Sequence, residues 1–395
     1  MTFQNLTRFG KGRLALLLGV LGLCAPIALS VAAQSPDNQR PAAVDQQPPT
    51  AAKQPPRVVV DDDGTVHIPA QAVPMSAYLS PEGKAYVTQH LKDMLNPPPA
   101  GPEKGVPGFM AGYLARQRVL YPSDREDTKI AGVHVYVYTP KAGISDRNKS
   151  RVLVNLHGGG FSGCWPGCAE LESIPVAGVG RIKVVAVDYR QGPDYKHPAA
   201  SEDVAAVYKE LLKNYRPSNV GVFGCSAGGM LTAMSVAWFQ THGLPRPGAV
   251  GIYCAGAGNP AGVAGIGGGD AAYMATPLGE ARVSMGTMRS GERGGGRGPN
   301  QGYLGGTDPA DPMVNPITSA DVMSKFPPTQ VITGTRGMEL SSALYTHEQL
   351  VRLGVEAELH VWEGLFHGFF YNPDVPECKD AYTVMVRFFD RHLGR

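Results

Sequence analysis

From residue 133 onward, short apolar runs alternate with helically spaced segments, and this alternation most narrows what the chain can fold into. Residues 133–138 (VHVYVY) alternate like a half-exposed strand. Residues 151–156 (RVLVNL), 183–187 (KVVAV), 220–223 (VGVF) and 250–254 (VGIYC) are short continuous runs, as in parallel strands buried on both faces. Residues 329–333 (TQVIT) and 357–362 (AELHVW) extend the series. Segments 201–214, 227–240 and 341–353 lie between these runs with helical spacing. Such a β/α succession predicts one mostly parallel, doubly wound sheet with helices on both faces. Upstream, 80–95 (SPEGKAYVTQHLKDML) reads as a helix with Ser80 as N-cap, Pro81 at its first position and Asn96-Pro97 at its end.

The 395 residues are 43% hydrophobic, enough for a real core, and the 50 glycines follow no Gly-X-Y period. A formal charge of +2 hints at an anionic partner until the first 33 residues are considered. Arg8, Lys11 and Arg13 precede an apolar stretch over 14–33, and Val31-Ala32-Ala33 fits a signal-peptidase site. Residues 1–33 are therefore expected to be a signal peptide, with the mature protein exported to the periplasm or the extracellular space. Its removal takes the charge to −1 and leaves no electrostatic case for nucleic acid. Nothing else approaches 18 continuous apolar residues, so no stable membrane span is expected in the mature chain. Residues 34–72 read as a tether, whose first 23 residues carry 6 Pro and 5 Gln. Residues 73–395 read as one globular domain interrupted at 262–306, where 15 of 45 residues are Gly. The oligomeric state is not legible.

The chemistry concentrates in three places. Gly224-Cys225-Ser226-Ala227-Gly228 stands directly after the run 220–223 and before a helix, the setting that makes a G-x-S-x-G a nucleophile turn exposing the Ser226 hydroxyl. His157-Gly158-Gly159-Gly160-Phe161 directly follows the run 151–156. Acyl transfer passes through a tetrahedral oxyanion that needs pre-aimed donors, and consecutive glycines let backbone N–H groups approach it. Gly158 and Gly159, with Ala227, are the expected donors. Serine also needs a base. His367 lies in a loop after the last run, whereas His360 falls within that run and His157 within the glycine loop. No metal is expected: Cys164 and Cys168 with His157 lack a second Cys/His pair. Those cysteines pair with each other or with Cys378, and Cys225 is taken as the unpaired fifth cysteine of the mature chain.

HGGGF (157–161), Asp188-Tyr189-Arg190 followed by HPAA (197–200) and Asp203, GCSAGG (224–229) and HGFF (367–370) together resemble the bacterial hormone-sensitive-lipase-like branch of the α/β-hydrolase family. The resemblance implies an α/β-hydrolase fold with an N-terminal helical cap, here 73–127. It also implies a small-molecule carboxylic ester as substrate, hydrolysed without metal or cofactor. The residues themselves leave an amidase or peptidase on the same triad open, as well as a ligand-binding protein that has lost its acid. The family's acid would fall at Gly337, where no carboxylate stands. Glu339 is the nearest candidate, with a helix N-terminal role as its rival, while Asp308 and Asp311 resemble structural residues. Arg190 is expected to pair with Asp203.

Overall fold

The computed structural model describes residues 58–62, 66–67, 73–99, 101–258 and 302–394. The expected signal peptide, most of the tether and residues 262–301 of the glycine-rich insertion lie outside the described residues. In the N-terminal unit, β1 (Val59–Val60) pairs antiparallel with β2 (Val66–His67).

The main unit is built on eight strands: β3 (Ser123–Ile130), β4 (Val133–Pro140), β5 (Val152–Leu156), β6 (Lys183–Val187), β7 (Val220–Cys225), β8 (Ala249–Tyr253), β9 (Thr329–Gly334) and β10 (Ala357–Trp362). Their order is β10-β9-β8-β7-β5-β6-β4-β3. All pairs from β10 to β6 are parallel, and β4 and β3 add antiparallel strands at one edge. This is the α/β-hydrolase fold. The central strands β5 and β7 are buried at every position, the condition under which unbroken apolar runs are stable as strands.

One face of the sheet carries α3 (Gly167–Gly180) and α8 (Pro376–His392), joined in one apolar cluster with Phe223, Tyr253 and Phe389. The other carries α4 (Ala199–Leu211) and α5 (Ala227–Thr241), packed around Val154, Val222 and Ile252. Two further helices are α6 (Ala320–Ser324) and α7 (Leu340–Arg352). Ahead of the sheet stand α1 (Pro81–Leu95) and α2 (Gly108–Leu120). Helix α1 has the expected boundaries: the Ser80 hydroxyl accepts from Gly83 N–H, Pro81 fills N1 and Asn96 ends it.

Three elements depart from the sequence reading. Residues 123–127, expected in the cap region, belong to β3 (SDREDTKI), a charged edge strand held by its pairing with β4. Helix α3 contains Pro175 and the glycines Gly167, Gly178 and Gly180, so propensity argues against it, yet burial against both sheet and α8 sustains it. Helix α8, with Pro376 at N1 and an apolar stripe through Ala381, Met385 and Phe388, was legible and not singled out.

Candidate active site

The nucleophile turn forms where β7 runs into α5. Ser226 has φ 58° and ψ −124°, a sparsely allowed conformation that is held by its surroundings. The flanking glycines are demanded by close approach of β5: a Cβ on Gly228 would lie 1.7 Å from the Leu156 carbonyl oxygen, and one on Gly224 would lie 2.3 Å from it. Ser226 N–H donates to the Tyr253 carbonyl at 2.9 Å, anchoring the turn to β8.

His367 follows β10 and reaches back to the residues after β9. Its Nδ1 lies 2.8 Å from Glu339 Oε2, and Thr333 Oγ1 donates to Glu339 Oε1 at 2.6 Å. Burial would raise the Glu339 carboxyl, but the charge and hydrogen bond of His367, helped by Thr333, hold it below the usual carboxylate range. An ionised partner at Nδ1 keeps the proton there and leaves Nε2 as the basic nitrogen. Glu339 occupies the N-cap position of α7, yet its side chain makes no capping bond. It faces the histidine instead. Gly337 explains the displaced acid, because a Cβ there would meet Glu339 Oε1 at 2.6 Å and Thr333 Oγ1 at 2.9 Å. A carboxylate at 337 and Glu339 would compete for one volume.

The oxyanion loop requires a correction. Gly158, expected as a donor, gives its N–H to Glu172 Oε1 at 2.9 Å, so that hydrogen is spent behind the loop. The N–H groups of Gly159 and Gly160 donate to no acceptor among the described residues. Ala227, the first residue of α5, carries one of the helix's unpartnered N–H groups. Gly159 (φ 121°) needs to be glycine, since its Cβ would meet the Gly163 carbonyl oxygen at 2.2 Å. His157 is buried and shapes the loop: Nδ1 donates to the Gly158 carbonyl at 2.6 Å, and burial pushes its pKa down to about 4, keeping it neutral.

Cys164 and Cys168 form a disulfide just beyond this loop, which takes both thiols out of any metal set with His157. Cys225 is buried and free as expected, but so are Cys254 and Cys378, so it is one of three free cysteines among the described residues. Gly368 N–H donates to Cys254 Sγ at 3.2 Å, and burial raises that thiol well above its usual value. The ligand-type atoms of Cys254, Glu339 and His367 lie within 4.8 Å of one another.

Ser226, His367, Gly159 and Gly160 line one cavity of about 420 Å³. Helices α1 and α2 supply Tyr86, His90, Met110 and Tyr113 to its wall. Phe366 and Tyr371 also face it, whereas Phe369 and Phe370 belong to the core. The remaining expected roles are structural. Arg190 Nε pairs with both oxygens of Asp203 at 2.9 and 3.0 Å, and His360 bonds Glu358 at 3.2 Å. Asp308 and Asp311 each accept a backbone N–H two residues ahead. The Tyr303 hydroxyl accepts from Ala200 N–H at 2.8 Å. Sequence reasoning missed Glu172 altogether. No motif marks it, because its partners are scattered over β5, the glycine loop, the end of β7 and the turn after His367.

A serine on a strained strand-to-helix turn, a histidine paired with a buried carboxylate and a glycine loop beside them define a carboxylic-ester hydrolase of the serine type. Comparison with known proteins agrees. The model of the alpha/beta hydrolase fold family matches residues 153–371, more than half of the chain. An acetyl-hydrolase of Streptomyces hygroscopicus is 26% identical over 258 residues, 63% of this chain and 78% of the relative. The crystal structure of an esterase aligns with a TM-score of 0.66 at 26% identity, covering 83% of this chain and 98% of that one. An esterase from the bacterial hormone-sensitive lipase family shares the fold with a TM-score of 0.61 at 23% identity, over 80% of this chain and 99% of its own. The chain belongs to the α/β-hydrolase fold family.

Proposed function

We propose that this protein hydrolyses short-chain carboxylic esters or lactones through an acyl-enzyme on Ser226. His367 takes the serine proton as the hydroxyl attacks the carbonyl, and returns it to the leaving alcohol. Water then repeats the cycle on the acyl-enzyme. Glu339 orients the imidazole and stabilises its positive charge. The N–H groups of Gly159, Gly160 and Ala227 hold the developing oxyanion. The observation that carries this reading is the 2.8 Å contact of His367 Nδ1 with Glu339 beside a cavity that Ser226 also lines. It argues against a binding protein that has lost its acid. A cavity of about 420 Å³ sits toward the lower end of the roughly 300–1,000 Å³ of small-molecule sites, which favours short acyl groups.

The test is labelling by a fluorophosphonate followed by peptide mass spectrometry, alongside turnover of p-nitrophenyl acetate, butyrate and octanoate and of a matched anilide. An adduct on Ser226, loss of turnover in Ser226→Ala and preference for acetate or butyrate over octanoate are expected. Absence of an adduct on the folded protein rejects the reading, and faster turnover of the anilide than of the ester moves it to an amidase. Export rests on residues 1–33 alone, and a mature N-terminus beginning at Gln34 in a periplasmic or culture-medium fraction is its expected signature.

A further inference from the structure

A carboxylate that the hydrolytic scheme does not use joins three of its segments from behind. Glu172, in α3, is 3% exposed. Its Oε1 accepts from Gly158 N–H at 2.9 Å and from the Tyr371 hydroxyl at 3.1 Å. Its Oε2 accepts from Asn155 Nδ2 at 2.9 Å and from Cys225 N–H at 3.3 Å. Gly158 directly precedes the two free N–H groups of the oxyanion loop, Cys225 directly precedes Ser226, and Tyr371 closes the short turn after His367. The loop and the nucleophile turn also touch: a Cβ on Gly158 would lie 3.2 Å from the Cys225 carbonyl oxygen and 3.4 Å from Ser226 Cβ.

Both oxygens face donors, and the two backbone N–H groups cannot turn into acceptors. The site as arranged therefore matches an ionised carboxylate, and a carboxylic acid would need the Tyr371 hydroxyl or the Asn155 amide to turn and accept from it. Among the described residues no cation offsets that charge. The titratable groups around it are Tyr371, Tyr189 and Cys225, and burial keeps both tyrosines neutral. His157, at the end of β5, is neutral as well. Arg118 and Arg125 bind Glu170, two residues earlier on α3. A buried carboxylate without a counter-ion is costly even when hydrogen-bonded. Burial accordingly pushes Glu172 up to about 7 against the pull of its four donors.

We propose that Glu172 is a positioning residue for the hydrolytic site, whose ionised carboxylate holds the oxyanion loop in register with the nucleophile turn and whose protonation uncouples them. The inference rests on Ser226, His367 and the glycine loop being the reacting set. As pH falls through the Glu172 titration one acceptor is lost, so activity falls there as well as through protonation of His367.

The experiment measures kcat and KM for p-nitrophenyl acetate from pH 5 to 9 on the full chain, in wild type, Glu172→Gln and Asn155→Leu. Fluorophosphonate labelling of Ser226 is followed in parallel. In Glu172→Gln the amide nitrogen must face a donor, and a misplacement on the ångström scale lowers kcat about 10²-fold with KM within about twofold. The acid limb of kcat/KM falls with a slope above one in wild type and a slope of one in Glu172→Gln. Asn155→Leu keeps Glu172 but removes a donor, so its acid limb moves to higher pH. That variant and the wild-type slope decide the matter if Glu172→Gln does not fold. A wild-type slope of one that Asn155→Leu leaves in place, with Ser226 still labelled, overturns the role of Glu172 alone. Failure of Ser226 to label in wild type removes the hydrolytic reading and this one with it.

Discussion

Replacing Gly337 by aspartate puts a carboxylate where the family resemblance expects one, and it should impair this enzyme. The backbone at 337 lies outside the left-handed region, so a side chain there is excluded by its neighbours alone. The added Cβ would stand 2.6 Å from Glu339 Oε1 and 2.9 Å from its Cδ, well inside van der Waals contact. Relief requires Glu339 to swing away from His367 or the two carboxyls to share the pocket. Two carboxylates about 4 Å apart repel by roughly 4 kcal/mol at an effective dielectric of about 20, so one would take a proton. Either outcome costs His367 its ionised partner. Removing a triad acid elsewhere lowers kcat about 10⁴-fold, and Glu339→Gln should approach that loss, with Gly337→Asp losing at least about 10²-fold. The double variant Gly337→Asp/Glu339→Ala vacates the contested volume and should recover at least about tenfold over Glu339→Ala, a non-additivity expected of residues in contact. The assay is kcat/KM on p-nitrophenyl acetate at pH 8, with a thermal melt to confirm folding. Gly337→Asp matching or exceeding wild type would refute the shared-volume argument, and an unaffected Glu339→Gln would remove Glu339 from the triad.

Two further outcomes follow from the walls of the site. The Cys164–Cys168 bridge closes a short loop against which Gly159 packs, its Cβ position lying 2.8 Å from Cys164 Cβ. Replacing both cysteines by serine should cost about 2 kcal/mol in a denaturant titration and lower kcat more than it changes KM, whereas unchanged stability and kcat would deny the bridge any part in holding the loop. Glu377 of α8 accepts from Ser80 N–H at 2.7 Å and from the Ser80 hydroxyl at 2.8 Å, fixing the start of α1. Glu377→Ala should raise KM several-fold with kcat little changed, because α1 walls the cavity with Tyr86 and His90; a kcat effect without a KM effect would contradict this.

What was legible in the sequence shares one physical property. Ser226, His157 and the glycines around them act through backbone geometry beside a strand end, and a strand followed by glycine is a local pattern. The buried strands were equally legible, because burial on both faces writes a continuous apolar run. Strand β3 was hidden, since a charged edge strand is specified by its partner β4 and not by its own residues. Helix α3 was hidden too, with its glycines and Pro175 overruled by burial.

The Gly158 assignment, which failed, and the displaced acid, which held, together show how far motifs carry. Counting along HGGG assigns Gly158 and Gly159 as donors, but Glu172, from a helix with no motif of its own, removes Gly158 from the set. Counting back from His367 points to Gly337, but the carboxylate comes from two residues later because a glycine at 337 leaves room for the longer glutamate arm. In the first case a side chain without a motif takes the N–H, and in the second the carboxylate offered as the nearest candidate, Glu339, is the one that meets His367. Spacing along the chain constrains where a backbone passes, whereas which carboxylate fills a buried volume depends on contacts between β5, α3, β7 and the loop after β9. Any chain with these motifs and a glycine at the expected acid position should be searched for a carboxylate whose reach makes up the missing length before it is taken to be inactive.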